Sequence, residues 1–116
     1  MSIERFHSGP RMSQAVKSAG VVYLAGQVAQ RAPSASVGEQ TADILARIDE
    51  LLAEAGTDKS GAVSATIWLS DISTFAEMNA VWDGWVDAAN PPARACVEAK
   101  LASPKFSVEI MLVASV

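Results

Sequence analysis

Hydrophobic side chains recur at every second residue in several segments of the chain, and this alternation predicts β-strands. The segments with the clearest alternation are residues 21–28, 62–70, 93–99 and 106–114. Weaker alternation in residues 11–18 and the short segment 3–6 add two candidate strands near the N-terminus. Ala19-Gly20 separates two of these runs, so the residues on either side are predicted to form a β-hairpin.

Two other segments repeat their apolar residues at helical spacing. Ser36 and Glu39 form a capping box at the start of the first helix, and Gly56 is a typical stop signal at its end. Thr74 and Glu77 form a second capping box, and the helix after it must end before the proline pair at 91–92. The apolar stripes are Thr41, Ile44, Leu45, Ile48, Leu51, Leu52 and Ala55 in the first helix, and Phe75, Met78, Trp82, Trp85 and Val86 in the second.

The predicted elements follow the order β-β-α-β-α-β-β, with the number of N-terminal strands left open. Two helices that are apolar on one side can cover one face of a mixed sheet, which gives an α+β fold. We expect residues 1–116 to form a single domain, because this length supports one hydrophobic core.

The alternation also predicts which side of the sheet each residue faces. Val63 is expected on the buried side with Ala65, and Gln27 on the opposite side with Tyr23. That opposite side receives six residues of mixed polarity: Tyr23, Ala25, Thr66, Trp68, Glu109 and Met111. Such a surface is too apolar to face water and too polar for a core, so it predicts a subunit interface that also lines a pocket.

Composition and charge narrow the class of protein. Half of the residues are hydrophobic and the net charge is -4 at pH 7, which argues against disorder and against binding of nucleic acid. The single cysteine allows no internal disulfide and no cysteine-based metal site. The sequence shows no signal peptide and no membrane span, so we expect a cytoplasmic protein without a membrane partner.

Two charged residues stand where binding or catalysis could use them. Arg94 begins a strand directly after Pro91-Pro92, and its planar guanidinium could hold a carboxylate through two hydrogen bonds. From the residues alone, a surface ion pair is the simpler explanation of Arg94. Glu109 lies in an apolar strand, where it could act as a general base with a raised pKa, or simply face water.

Two further residues are weaker candidates. Cys96 could be a nucleophile, but the only histidine, His7, is distant in the sequence, and neither a Cys–His dyad nor a multi-histidine metal site is supported. Gly26 interrupts a predicted strand, where glycine permits either a close approach of a ligand or a plain kink.

Four motifs resemble those of the Rid family of reactive intermediate deaminases, also called YjgF-like or RidA-like. They are Tyr23-Leu24-Ala25-Gly26-Gln27, Phe75-Ala76-Glu77-Met78-Asn79, Pro92-Ala93-Arg94-Ala95-Cys96-Val97 and Val108-Glu109-Ile110. The resemblance extends over nearly the whole chain and is strongest to the small YoaB-like branch. The Pro-Ala-Arg step followed by the Val-Glu-Ile strand is its most specific part.

The resemblance implies a chorismate-mutase-like fold of the Bacillus type, with a mixed sheet covered on one face by two helices and assembled as a homotrimer. It implies hydrolysis of 2-imino acids, or their enamine tautomers, to 2-oxo acids and ammonia without a metal or cofactor. The residues it implicates are Arg94 as the carboxylate clamp, Glu109 beside the attacking water, and Met12, Ala25, Gly26, Asn79 and Cys96 as pocket lining.

The chain departs from the family pattern at two of these positions. Met12 stands where many deaminating members have tyrosine, and Ala25 where they have serine, so two pocket hydroxyls are missing. A trimer that binds small carboxylates without turnover, or that regulates through them, is therefore the alternative from another functional class. The family's older ribonuclease label is a third, which the acidic charge opposes.

Overall fold

The structure is a computed structural model that describes residues 2–116. Within this range the chain forms six strands, two α-helices and two short 3-10 turns, at Lys59–Gly61 and Ile72–Thr74. The strands and helices are β1 (Ile3–Phe6), β2 (Ala15–Ser18), β3 (Val21–Leu24), α1 (Val37–Ala55), β4 (Ala62–Leu69), α2 (Phe75–Trp85), β5 (Ala93–Glu98) and β6 (Val108–Ser115). Three strands precede α1, which is one more than the predicted order contains.

The strands form one mixed sheet in the order β1-β2-β3-β6-β4-β5. β4 and β5 run parallel, with α2 in the connection between them, and the other neighbouring strands run antiparallel. α1 and α2 pack against each other, and α1 contacts β2, β3 and β6. The predicted mixed sheet with two helices on one face is therefore confirmed.

The hydrophobic core lies between the sheet and the helices, as the alternation predicted. Ile67 on β4 and Ile110 on β6 are paired and fully buried, and Ile44 and Ile48 of α1 are fully buried in the same cluster. The prediction for Val63 was wrong, because the register of β4 shifts between Ala62 and Ser64 and leaves Val63 51% exposed. A bulge of this kind reverses the side of the residue that it displaces.

The N-terminal hairpin is confirmed, with Ala19 and Gly20 both at positive φ (53° and 78°) in its turn. Two-residue hairpin turns favour this backbone because its twist matches that of the strands. β3 nevertheless ends at Leu24 instead of continuing to Val28, and only Gln27 makes a further bridge, to Ile110 of β6. Gln27 is buried, so the predicted placement on the open side was wrong.

The two predicted helix starts have different outcomes. At α1 the Ser36 hydroxyl accepts a hydrogen bond from the backbone N–H of Glu39 at 3.1 Å, and Gly56 ends the helix at φ 91°. The second capping box was wrong. The Thr74 hydroxyl donates to the carbonyl of Asp71 instead, while Glu77 accepts from the backbone N–H of Gly38 and so joins α2 to the start of α1.

Neither helix in the described part of the chain has the length and apolar character needed to cross a membrane.

Candidate functional site

Arg94 projects from the edge strand β5 toward the helices. It stands beside the buried Ala65 of β4 in the parallel register, so its side chain lies on the helix-covered side of the sheet. Its Nη1 donates to Oδ1 of Asn79 on α2 at 2.8 Å. Its guanidinium also lies over two rings of α2, 5.2 Å from the centre of Trp82 and 5.8 Å from that of Phe75.

All of these contacts are with uncharged groups. Within residues 2–116 no carboxylate forms an ion pair with Arg94, and the residue is exposed. The surface ion pair that the sequence allowed is thus not formed. Hydrogen bonding and cation–π contact orient the guanidinium without neutralising it, which leaves its charge available to an anion.

The local sequence explains why Arg94 stands at this point. After α2 the backbone N–H of Asn90 donates to the carbonyl of Asp87 in a turn, and Pro91-Pro92 then removes two backbone donors. β5 begins directly after the prolines, at Ala93, which pairs with Ser64. The rigid proline pair therefore fixes the start of β5, and Arg94 extends from it toward α2.

Glu109 lies on β6 and faces the open side of the sheet, where it is paired with Trp68 of β4. It is half-buried, and this burial raises the pKa of its carboxyl above the ordinary value. Desolvation has this effect because it disfavours the charged form. A carboxylate with a raised pKa is a better proton acceptor near neutral pH than an exposed one.

Gly26 lies directly against this carboxylate. A Cβ atom at residue 26 would lie 3.0 Å from Cδ and 3.3 Å from Cγ of Glu109, and closer still to Oε2. Separations of this size are shorter than ordinary van der Waals contact, so a side chain at residue 26 would force the Glu109 carboxylate out of its present position. The group that approaches Gly26 in the structure is the side chain of Glu109, whereas the sequence suggested a ligand or a kink.

Cys96 faces the helix layer from β5 and is half-buried. Burial raises the pKa of its thiol, and the nearby charge of Arg94 offsets this only in part. The reactive thiolate is therefore disfavoured. His7 is hydrogen-bonded to Glu54 of α1 at 2.7 Å and gives Cys96 no base.

Met12 and Ala25 lie near Gly26. Met12 is exposed and, with Gly26, lines a cleft of about 500 Å³ at the end of the sheet beside α1. This cleft is also lined by an ion-pair network of Arg31, Asp43, Arg47 and Glu50. Ala25 is half-buried, and its N–H donates to the carbonyl of Gln14 at 2.9 Å.

The candidate residues thus fall into two groups that a single chain does not bring together. Arg94, Asn79 and Cys96 lie on the helix side of β5, whereas Gly26 and Glu109 lie on the open side at β6. In the sheet, β4 separates β5, which carries Arg94, from β6, which carries Glu109. A pocket that uses both charges requires two copies of the chain.

Sequence reasoning missed Gln14 and Gln27, which form a part-buried hydrogen bond beside Gly26. Nε2 of Gln27 donates to Oε1 of Gln14 at 2.9 Å and to the carbonyl of Ala25 at 3.0 Å. The one available signal was a glutamine directly after a glycine that interrupts a strand. The alternation pattern concealed it by assigning Gln27 to the open side.

A protein-family model described as "Endoribonuclease L-PSP" matches residues 3–116 of the chain. The chain belongs to this family. It is 42% identical over 115 residues to a RutC family protein of Haemophilus influenzae, covering 99% of both chains. It is 41% identical over 116 residues to the RutC family protein YoaB of Escherichia coli strain K12, covering 100% of both.

The solved structures of the L-PSP family agree. A YjgF family protein from Neisseria meningitidis superimposes with a TM-score of 0.95 at 49% identity, over 99% of this chain and 95% of that one. The resemblance to the YjgF-like family and its YoaB branch, read from four motifs, is therefore confirmed. Membership in the L-PSP family also identifies the α+β architecture as the family's own.

Proposed function

We propose that the chain catalyses hydrolytic deamination of 2-imino acids, or of their enamine tautomers, to 2-oxo acids and ammonia. The observation that carries the proposal is Arg94, a guanidinium oriented by Asn79 and two aromatic rings but paired with no carboxylate within residues 2–116. A carboxylate in the substrate supplies the missing partner. The family resemblance supports the same substrate class.

The proposed active form is a homotrimer with one pocket at each interface between chains. The open side of the sheet supports this assembly, because Tyr23 is 51% exposed and Met111 37% exposed on a surface with no helix over it. Arg94 and Glu109 face opposite sides of their own sheet, so each pocket combines Arg94 of one chain with Glu109 of its neighbour.

In this pocket Arg94 binds the substrate carboxylate through two parallel N–H···O bonds. Glu109 accepts a proton from a water molecule while the water oxygen bonds to the imine carbon and the C=N π electrons move to nitrogen. Glu109 gives this proton to the nitrogen, which completes a neutral carbinolamine. Glu109 then takes the carbinolamine hydroxyl proton and delivers it to the nitrogen as the C–N bond breaks, so that ammonia leaves and the oxygen becomes the carbonyl of the 2-oxo acid. No protein nucleophile is needed, which agrees with the raised pKa of Cys96.

The energetic demand on this site is modest. Enzymes commonly lower barriers by about 8–23 kcal/mol, but imines are electrophilic and already hydrolyse in water. Fixing the carboxylate and one water molecule converts a bimolecular reaction into an effectively unimolecular one, which contributes roughly 7–11 kcal/mol in well-oriented systems. Positioning by two charged side chains therefore suffices.

The test generates 2-iminopropanoate from alanine with an amino-acid oxidase and follows the loss of imine that semicarbazide can trap. The wild-type protein is expected to accelerate this loss, and Arg94→Ala is the matched control that lacks the carboxylate clamp. Equal rates with wild type, with Arg94→Ala and with no protein would reject the proposal. Binding of pyruvate to wild type without any acceleration would instead support the non-catalytic carboxylate-binding trimer.

A further inference from the structure

The side chain of Gln27 stabilises the backbone turn that contains Gly26. Gln27 is 5% exposed although β3 has already ended at Leu24. Its Nε2 uses both hydrogens, donating one bond to Oε1 of Gln14 and one to the carbonyl of Ala25. The Gln27 side chain therefore closes the turn through two part-buried hydrogen bonds at the wall of the cleft that Met12 and Gly26 also line.

The same residue attaches the turn to β6. The N–H of Gln27 donates to the carbonyl of Ile110 at 2.8 Å, and the N–H of Ile110 donates back to the carbonyl of Gln27 at 3.0 Å. Glu109 is the neighbour of Ile110 in β6 and faces the other side of the sheet, against Gly26. The backbone on either side of Gly26 is thus fixed by hydrogen bonds, from the Gln27 side chain to the Ala25 carbonyl and between the backbones of Gln27 and Ile110.

We propose that Gln27 is a positioning residue for Glu109, and that its bonds to Gln14 and Ala25 press the Gly26 backbone against the Glu109 carboxylate and fix where that carboxylate points. The part of this role that concerns the attacking water rests on the proposed function. The part that concerns the surroundings of Glu109 does not, because it follows from contacts within one chain.

Removing the amide is expected to loosen the turn without detaching it, because the backbone bridge to Ile110 needs no side chain. Water then reaches the carboxylate from the side that Gly26 covers. The groups that the structure places beside Glu109 on this face are Trp68 of β4 and the turn that contains Gly26, and neither carries a charge. A change in the pKa of Glu109 would therefore report greater hydration of its carboxyl and not a new charged neighbour.

The experiment compares wild type with Gln27→Met, an unbranched side chain of similar length that cannot donate. The Glu109 carboxyl is titrated directly by carbon NMR, and its signal is assigned by its loss in Glu109→Gln. In Gln27→Met the pKa of Glu109 is expected to fall toward its ordinary value, because water replaces the covering backbone. Thr41→Val is the control, since it loses a buried hydrogen bond to the Val37 carbonyl within α1.

The kinetic readout follows the same logic. A displacement of about 1 Å can reduce the rate roughly 100-fold, so kcat of Gln27→Met is expected to fall to that extent while KM, set by Arg94, changes little. The acid limb of its pH profile moves to lower pH, whereas Thr41→Val keeps the wild-type profile.

An unchanged Glu109 titration in folded Gln27→Met would overturn the inference. If the wild-type protein proves inactive toward imines, the proposed function fails, and the titration still decides the role of Gln27. If Gln27→Met does not fold, Gln14→Met removes the acceptor at a half-buried position, and the same titration on that variant decides the matter.

Discussion

Arg31 and Arg94 carry the same guanidinium but contact different partners. Arg31 donates to Asp43 at 2.9 Å and to Glu50 at 3.2 Å, and these bonds raise the pKa of its guanidinium. Within residues 2–116, Arg94 instead contacts the amide of Asn79 and two aromatic rings and pairs with no carboxylate. At the scale of single residues, Arg94 therefore differs from Arg31 because its positive charge is not neutralised by a carboxylate of the described chain and is available to a ligand.

Arg94→Lys is expected to keep the positive charge but lose the planar pair of donors. Loss of one charge-assisted hydrogen bond lowers kcat/KM for 2-iminopropanoate by roughly 10–150-fold, and Arg94→Ala lowers it further. Both variants should melt near the wild-type temperature, because no internal ion pair is broken. Lys100→Ala removes an exposed cation after β5 and serves as the control. A large drop in melting temperature in both Arg94 variants would favour a structural role.

Glu109→Gln preserves shape while removing the proton acceptor, so kcat is expected to fall about 10²–10⁴-fold with little change in pyruvate binding. In wild type the rate should decline as pH falls through the raised pKa, because protonation of Glu109 stops it from accepting a proton. The folded state also takes up this proton more readily than the unfolded state does, so the ionised carboxylate opposes folding above that pKa. The variant should therefore melt no lower than wild type at pH 7, and an unchanged kcat would exclude Glu109 as the base.

At the scale of elements, the two helices begin by different means. Ser36→Ala removes a side-chain cap from α1 and is expected to lower the free energy of unfolding by about 1 kcal/mol. Thr74→Ala should cost less, because the Thr74 hydroxyl contacts the Asp71 carbonyl and does not cap α2. Urea unfolding of both variants measures the difference, and equal losses would contradict it.

The sequence predicted the elements best where one face of each is buried. Alternation located β4, β5 and β6 to within two residues, since Ile67 and Ile110 must both meet the helices. It failed at Val63 and Gln27, because a bulge and an early strand end shift the side that a residue faces. Both depend on neighbouring strands, which a pattern within one segment does not contain.

The candidate site was predictable only in part for the same reason. Arg94 and Glu109 stood out as charges in apolar strands, and the structure gives each a distinctive environment. Their relation did not follow from the sequence, because the order β6-β4-β5 inserts a strand that is distant along the chain. The contact between Gly26 and Glu109 likewise joins residues more than eighty positions apart in the sequence.

At the scale of the whole molecule, the open side of the sheet predicts self-association. Light scattering at micromolar concentration is expected to give three times the chain mass of 12.1 kDa. Met111→Asp should shift the mass toward that of one chain, because it places a charge on this surface. Ile72→Asp is the control, since Ile72 is 44% exposed but lies in a turn outside the sheet. A monomeric wild type would reject the trimer.

The opposite orientations of Arg94 and Glu109 also have a consequence for trimers assembled from two different variant chains. If each pocket takes its arginine from one chain and its glutamate from the next, two inactive variants can complement each other. When Arg94→Ala and Glu109→Gln chains are unfolded together and reassembled in equal amounts, a pocket has both charges with probability one half times one half. About one quarter of the pockets should then be active in a cyclic trimer. A pocket confined within one chain would give no recovery, so the regained rate shows whether the two charges belong to different subunits.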